Sequence, residues 1–264
     1  MNACGTDTVF SWRVIRLHRS WSWVKKGFAE EFSRLGATGA FQPDGTSPVI
    51  WRTRNKFVLK VAVEGGFAAY KSFFRIRNFQ QYLLRPSPSA AEALNYRRLS
   101  GLGFPLPELL AVGEQRCCFV LKNSFMLSRF VDGFRDGRDF FGDGIHAGEK
   151  ELTADFCRAH LRLLAKLHDA GIAHRGFTPA NLLYRLTPDG KKVCWIDVAE
   201  CRRAVISTRR IADDMVNLFR FLDLREEDRR ELIGCYLAAA QKRRTDERHL
   251  CRVLEKRLAK RLKK

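Results

Sequence analysis

Acidic residues are scarce in this chain. Its 264 residues carry 29 Asp and Glu against 48 Lys and Arg, a net charge of +19. That imbalance implies an anionic partner (a nucleic acid, an anionic membrane surface or a phosphorylated substrate), the alternative being a solvated basic surface. Long apolar runs are missing too: none approaches the roughly 18–20 residues of a membrane span. The 8 cysteines include no Cys-x-x-Cys and no Cys/His spacing fit for zinc, which argues against a metal cluster. The adjacent Cys117 and Cys118 are poorly placed for a mutual disulfide. No signal peptide is read at the N-terminus, so the expectation is free buried thiols in a reducing cytoplasm. Neither an internal repeat nor a nucleic-acid-binding motif is visible. What is present, 45% hydrophobic and 29% charged residues, is the composition of a globular protein. At this length it can bury a core as one two-lobed domain or two small ones.

The chain reads in four stretches. Residues 1–48 are an aromatic and basic N-terminal segment in which Trp12, Trp21 and Trp23 alternate with Arg13, Arg16, Arg19, Lys25 and Lys26. Such interleaving suits a membrane interface or a nucleic acid; the competing reading packs the Trp rings onto the main domain. Residues 49–131 turn to β pattern. FVLKVAV (57–63), a Glu64-Gly65-Gly66 turn and FAAYKSF (67–73) form a hairpin signal, with Lys71 on one face and Tyr70 and Ser72 on the other. After the basic linker RIRNFQQYLLRP, a helix is expected from Pro86–Ser89, with Glu92 in its first turn and Ala91, Leu94 and Leu99 at helical spacing. FPLPELLAVGE leads into a strand, and CCFVL (117–121) and FMLSRFV (125–131) read as two more.

In residues 132–241 helices take over. A glycine-rich loop precedes an amphipathic helix over 151–170, whose apolar face carries Phe156, Leu161, Leu163, Leu164 and Leu167, and Gly171 caps it. Two further helices are expected over 210–222 and 226–241. Residues 242–264 form a basic helix with Leu250, Leu254, Leu258 and Leu262 spaced by four. It reads as a membrane anchor or as a solvated terminal helix.

Residues 161–197 organise the rest: a helix ending at Leu167-His168, the loop HRGFTPAN, a short apolar segment, a Pro-Asp-Gly turn and a strand closing on Asp197. Kinases build their catalytic and metal loops in this order, because phosphoryl transfer needs an amide oxygen and a carboxylate to hold Mg²⁺ on the nucleotide phosphates and a group to take the substrate's proton. Asn181 and Asp197 occupy the two metal positions. The proton acceptor belongs two residues after His174, and that position is Gly176.

PSPSAAEALNYRRLSGLGFPLPELLAVGE and LLAKLHDAGIAHRGFTPANLLY resemble the lipopolysaccharide core sugar kinases, the Kdo/heptose kinase (WaaP-like) family, over about residues 50–240. The resemblance implies an α+β, protein-kinase-like fold: an N-lobe of antiparallel strands with one helix over 49–131, and a mostly helical C-lobe over 132–241. It implies ATP and Mg²⁺ as cofactors and an anionic inner-core sugar, Kdo or heptose, as acceptor. Lys71 would contact the α/β phosphates and Glu92 would hold Lys71, while Asn181 and Asp197 would carry the metal. His174 would serve the loop mainly as an architectural residue, with a role as base left open. Asp214 resembles the aspartate that braces the loop backbone; Asp213, beside it, is easily mistaken for it. The family's acceptor is embedded in a membrane, so the +19 chain is expected in the cytoplasm, peripheral on the inner face of the inner membrane. Phosphotransferases of the same fold that bind cations would need acidic clefts, which this charge disfavours.

Three departures stand out. Gly176 replaces the base, WRTRNK stands where a Gly-rich loop would precede FVLKVAV, and Ala199 replaces the Gly that protein kinases carry two residues after the metal Asp. General-base assistance contributes 10²–10⁴ in rate, about 3–5 kcal/mol, whereas positioning and metal supply most of the acceleration in phosphoryl transfer. Three outcomes fit: another carboxylate such as Asp197 or Glu200 substitutes, the enzyme is slow, or the protein is a pseudokinase acting as a membrane-associated scaffold.

Overall fold

A Gly-Gly turn sets the first half of the structure. Gly65 and Gly66 take φ of 75° and 134°, which glycine adopts without steric cost, and they fold Lys56–Val63 onto Gly66–Phe73 in unbroken antiparallel register. The structure is a computed structural model that describes residues 13–15, 20–43, 45–74, 82, 85–117, 120–188, 190–222, 224–242 and 245–262. Trp12, Arg16, Arg19, most of the basic linker, Cys118 and Asp189 lie outside the described residues. The chain divides into two compact units, Met1–Leu94 with Pro107–Asp132 and Asn95–Leu106 with Gly133–Lys264.

The first unit contains β1 (Arg13–Ile15), β2 (Ser20–Val24), α1 (Ala29–Ala37), β3 (Val49–Arg52), β4 (Lys56–Val63), β5 (Gly66–Phe73), the start of α2 (Pro88–Gly101), β6 (Leu109–Cys117) and β7 (Val120–Arg129). The strands form one sheet in the order β1-β2-β6-β7-β5-β4-β3. Alternation along β4 buries Phe57, Leu59, Val61 and Val63, the period-2 pattern of a strand with one covered face. Those side chains share a core with Phe28 and Leu35, which flank and belong to α1, and with Ala68, Leu110 and Leu127. Stacking of Phe32 on Phe125, with centroids 5.7 Å apart, adds to it.

Several elements differ from the sequence expectation. The described part of the 1–48 segment belongs to this unit: β2 pairs with β6, aligning Trp23 with Val112, and Trp23 is half-buried. Helix α1 had no clear signal, being nine residues long with no side-chain N-cap. CCFVL is not a strand of its own; β6 ends at Cys117 and β7 begins at Val120, so the run spans the connection between them. Helix α2 starts at Pro88 with the Ser87 hydroxyl accepting from Ala90 N–H at 3.2 Å. Glu92 therefore falls in the second turn, not the first. Leu94 is 54% exposed, and the buried face of α2 carries Ala90, Glu92, Ala93, Tyr96 and Leu99 instead.

The second unit contains β8 (Arg135–Asp136), α3 (Lys150–Asp169), β9 (Ile172–Ala173), β10 (Leu182–Thr187), β11 (Gly190–Trp195), β12 (Arg202–Arg203), α4 (Thr208–Phe219), α5 (Glu226–Ala239) and α6 (Glu247–Leu262). Helix α3 buries Phe156, Leu161, Leu164 and Leu167 as its amphipathic pattern requires. The 134–150 loop holds β8 and one short 3-10 turn, Gly137–Phe140. Helix α6 is neither a free solvated tail nor a leucine-faced anchor: Leu250 and Leu254 are fully buried and Leu258 is 6% exposed. The helix packs on α4 and α5, with Arg229 Nε donating to Glu255 at 2.8 Å and Arg257 3.3 Å from Asp213. Among the described residues, no helix is long and apolar enough to cross a membrane.

Candidate active site

In the first unit, strand period and helix placement bring two charges together in a dry place. Ser72 and Lys71 are neighbours on β5 and so point to opposite faces of the sheet. Ser89 on α2 bonds Ser124 on β7, hydroxyl to hydroxyl, at 3.1 Å, which fixes the helix against the sheet. Lys71 Nζ then donates to Glu92 Oε2 at 2.7 Å, with side chains 11% and 1% exposed. Removing one partner of such a buried pair leaves the other charge stranded at a cost of about 3–5 kcal/mol.

In the second unit, one buried carboxylate shapes the HRGFTPAN loop. Asp214 on α4 is 0% exposed. Its Oδ2 accepts from His174 N–H at 2.9 Å and its Oδ1 from Arg175 N–H at 3.0 Å, while His168 Nε2 sits 3.1 Å from Oδ2. Burial alone would raise the Asp214 carboxyl, but His168 and the two N–H donors outweigh it and hold the pKa below the ordinary value. Asn217, one turn along α4, donates to Arg175 O at 2.9 Å. Arg175 is thereby pinned at φ 55°, a left-handed conformation that costs a non-glycine residue about 1 kcal/mol or more unless its surroundings over-determine it. Asp213 points elsewhere, to Arg257. Asn217 was legible as a polar residue at i+3 from Asp214, but nothing in the sequence showed that it reaches the loop.

The loop's other members are fixed in turn. Asn181 Nδ2 donates to Gly176 O at 2.9 Å, and its backbone carbonyl accepts from Ile196 N–H at 3.0 Å, joining the loop to the strand that ends before Asp197. The Asn181 Oδ1 accepts no hydrogen bond among the described residues. Asp197 follows Trp195-Ile196 and takes φ 53°, again left-handed. These are hard oxygen donors, one amide and one carboxylate. Together they suit a magnesium ion that keeps waters and takes further oxygens from phosphates. Among the described residues, no three His, Cys, Asp or Glu side chains converge to form a closed metal cage.

His174 is 0% exposed, with its ring against Trp195 at 5.0 Å and Phe177 at 5.5 Å. Among the described residues, neither ring nitrogen has a hydrogen-bond partner. A ring with no exposed atom cannot take a proton from a bound hydroxyl, so the role left to it is packing. His160 is equally buried and accepts from Trp195 Nε1 through Nδ1 at 2.9 Å; no feature of the sequence singled it out. Burial holds His174 near a pKa of about 4, against the pull of Asp214, and His160 near about 3.

Both rings stay neutral in the fold, whereas in the unfolded chain they charge near 6.5. Their contribution is complete above that value and is lost as pH falls towards the folded values. At pH 5 each costs about 2 kcal/mol. Thermal melts at pH 7 and pH 5 are expected to differ accordingly. His160→Gln, which keeps an acceptor for Trp195, should remove about half of the difference; equal pH sensitivity in that variant would count against this cause.

Gly176 is the opposite of a conformationally required glycine. Its φ is not left-handed, and a Cβ built on it would stand 3.7 Å from Asn181 Nδ2 and 3.8 Å from both His174 Nδ1 and Glu200 Cβ, ordinary contact distances. A side chain would fit here without strain.

The structure is similar to that of WaaP in complex with acyl carrier protein, with a TM-score of 0.64 at 18% identity over 90% of this chain and 98% of that one. It is also similar, more distantly, to the Mycobacterium tuberculosis PknI kinase domain, with a TM-score of 0.41 at 16% identity over 79% and 93% of the two chains. No curated protein matches it in sequence. The first likeness shows a kinase-like α+β fold, and residues 74–236 match the model of the lipopolysaccharide kinase (Kdo/WaaP) family, to which this chain therefore belongs.

Proposed function

We propose that the protein is an ATP- and Mg²⁺-dependent kinase that phosphorylates an inner-core sugar of lipopolysaccharide, Kdo or heptose. The observation that carries the reading is the buried ion pair of Lys71 and Glu92 at 2.7 Å, a strand lysine oriented by a helix glutamate in a chain of the lipopolysaccharide kinase family. In this reading Lys71 contacts the α/β phosphates and Glu92 keeps it extended. Asn181 and Asp197 hold Mg²⁺, which would neutralise charge on the transferring phosphate. Asp214 and Asn217 keep the loop backbone in shape.

A thermal-shift measurement tests this. ATP with Mg²⁺ at a hundredfold excess over its Kd should stabilise the wild type by about 2.7 kcal/mol, which for a chain of this size is roughly 5–11 °C. Asp197→Ala should abolish the shift. No stabilisation of the wild type, or an undiminished one in Asp197→Ala, would sink the reading.

Gly176 favours a second reading, a non-catalytic scaffold of the same fold that binds nucleotide. It is distinguished by transfer to isolated core oligosaccharide. A native protein that transfers nothing while Gly176→Asp does would establish it.

Membrane association is the finer part of the proposal. On α6, Arg248, Arg252, Lys256 and Lys260 are all exposed and form a basic stripe spaced by four. Each such charge near an anionic surface contributes about 1 kcal/mol. Replacing all four by Gln should weaken flotation with anionic vesicles by roughly two to three orders of magnitude at low salt; unchanged flotation would remove this stripe as the docking face.

A further inference from the structure

We propose that Glu200 is the proton acceptor of the transfer reaction, supplying from the neighbouring turn the carboxylate that Gly176 lacks; the assignment rests on the kinase reading above. The space beside Gly176 that an aspartate would fill is bordered by Glu200, whose Cβ lies 3.8 Å from the position of a Cβ on residue 176. From there Glu200 has two more C–C bonds of about 1.5 Å, enough to swing its carboxylate over the region that the shorter side chain of an aspartate in place of Gly176 would serve.

Backbone geometry holds that Cβ in place. The 3-10 turn Val198–Glu200 follows Asp197 directly. Asn95 Nδ2 donates to Val198 O at 2.9 Å and to Ala199 O at 3.3 Å. Cys201 N–H closes on Val198 O at 3.0 Å. Immediately after, β12 pairs with β9, aligning Arg202 with Ala173, the residue before His174, and Ala204 N–H reaches Gly171 O at 3.0 Å. The turn and the loop are thus tied at both ends, through Ile196 to Asn181 on one side and β12 to β9 on the other.

The side chain itself is available. Glu200 is 56% exposed, and its ion pair to Arg202 at 3.8 Å joins two exposed groups, an interaction that solvent screens to little. The competing carboxylates around the loop are committed. Asp214 is fully buried on backbone donors, Asp213 meets Arg257, Asp136 meets Arg138, Asp139 meets Arg135 and Tyr184, and Asp197 is the metal position. Within 174–181 no residue is acidic.

In the transfer, the sugar hydroxyl oxygen bonds the γ-phosphorus of ATP as the bond from that phosphorus to the bridging β–γ oxygen breaks, its electron pair leaving with ADP. The hydroxyl proton passes to the Glu200 carboxylate and from there to water.

The test compares wild type, Glu200→Gln and Glu200→Gln with Gly176→Asp, measuring transfer to core oligosaccharide beside the ATP–Mg²⁺ thermal shift. Glu200→Gln should lower kcat about 10²- to 10³-fold with the nucleotide shift unchanged. Gly176→Asp should restore at least about tenfold of the loss. A rate in Glu200→Gln within about twofold of wild type overturns the assignment, as does a loss that Gly176→Asp fails to restore or one accompanied by loss of the nucleotide shift. A wild type that binds ATP but transfers no phosphate overturns it and leaves nucleotide binding standing. A wild type that binds no ATP removes both.

Discussion

Alanine at Asp214 is expected to destabilise the chain by about 3–5 kcal/mol, whereas alanine at Asp213, its immediate neighbour, should cost less than about 1 kcal/mol. Asp214 is completely buried and takes the N–H groups of His174 and Arg175 together with His168. Its removal leaves the buried His174 N–H and the part-buried Arg175 N–H without their acceptor, at up to about 1–3 kcal/mol each, and takes one of its partners from His168 in the core. Asp213 is 32% exposed and meets Arg257 at 3.3 Å, the kind of partly solvated pair whose contribution is small. In thermal melts the difference corresponds to roughly 4–20 °C. Because Arg175 is held left-handed by those same bonds, the kinase reading proposed above expects any Asp214→Ala protein that remains folded to lose transfer rate beyond its loss of stability. Equal melting temperatures for the two alanine variants would show that the loop does not depend on this brace.

Truncation after Gln241 is expected to unfold the second unit instead of producing a trimmed but native protein. The deletion removes Leu250, Leu254 and Leu258, each buried to within 6%. At about 1.5–3 kcal/mol per fully buried leucine, the loss of about 5–9 kcal/mol is comparable to the whole stability of a domain. The ion pairs of Glu255 with Arg229 and of Arg257 with Asp213 go with it. The expected readout is loss of cooperative melting and aggregation of the truncated chain. A truncated protein that melts cooperatively within a few degrees of full length would mean that α6 is dispensable. For the same reason, lost flotation after truncation would report unfolding and could not by itself identify an anchor.

Much of this was written locally in the chain. The β4–β5 hairpin follows from two β-prone runs around Gly65-Gly66, and α3 from its apolar face and Gly171. The loop with Asn181 was readable from its residue types and order, as was the strand before Asp197, which ends at Trp195. Where the expectation failed, the deciding information lay far away in sequence. Helix α1 is short and uncapped and exists because Phe28 and Leu35 find a sheet to cover. The one-turn shift of Glu92, and Leu94 facing outward, follow from which side of α2 meets β7.

Periodicity and residue order by themselves determined the apolar faces of helices such as α3, that an amide and a carboxylate stand at Asn181 and Asp197, and that glycine stands two residues after His174. Only the tertiary structure decided what those faces cover and which neighbours the loop has. It supplied the donors that Asp214 accepts from, His174 N–H and Arg175 N–H, and turned Leu250, Leu254 and Leu258 of α6 inward. It also set Glu200, 24 residues beyond Gly176 in the sequence, within van der Waals contact of the space that the glycine leaves. A local pattern reports the direction of a side chain relative to its own element, whereas proximity between elements is fixed by long-range pairing such as β9 with β12, which no local pattern encodes.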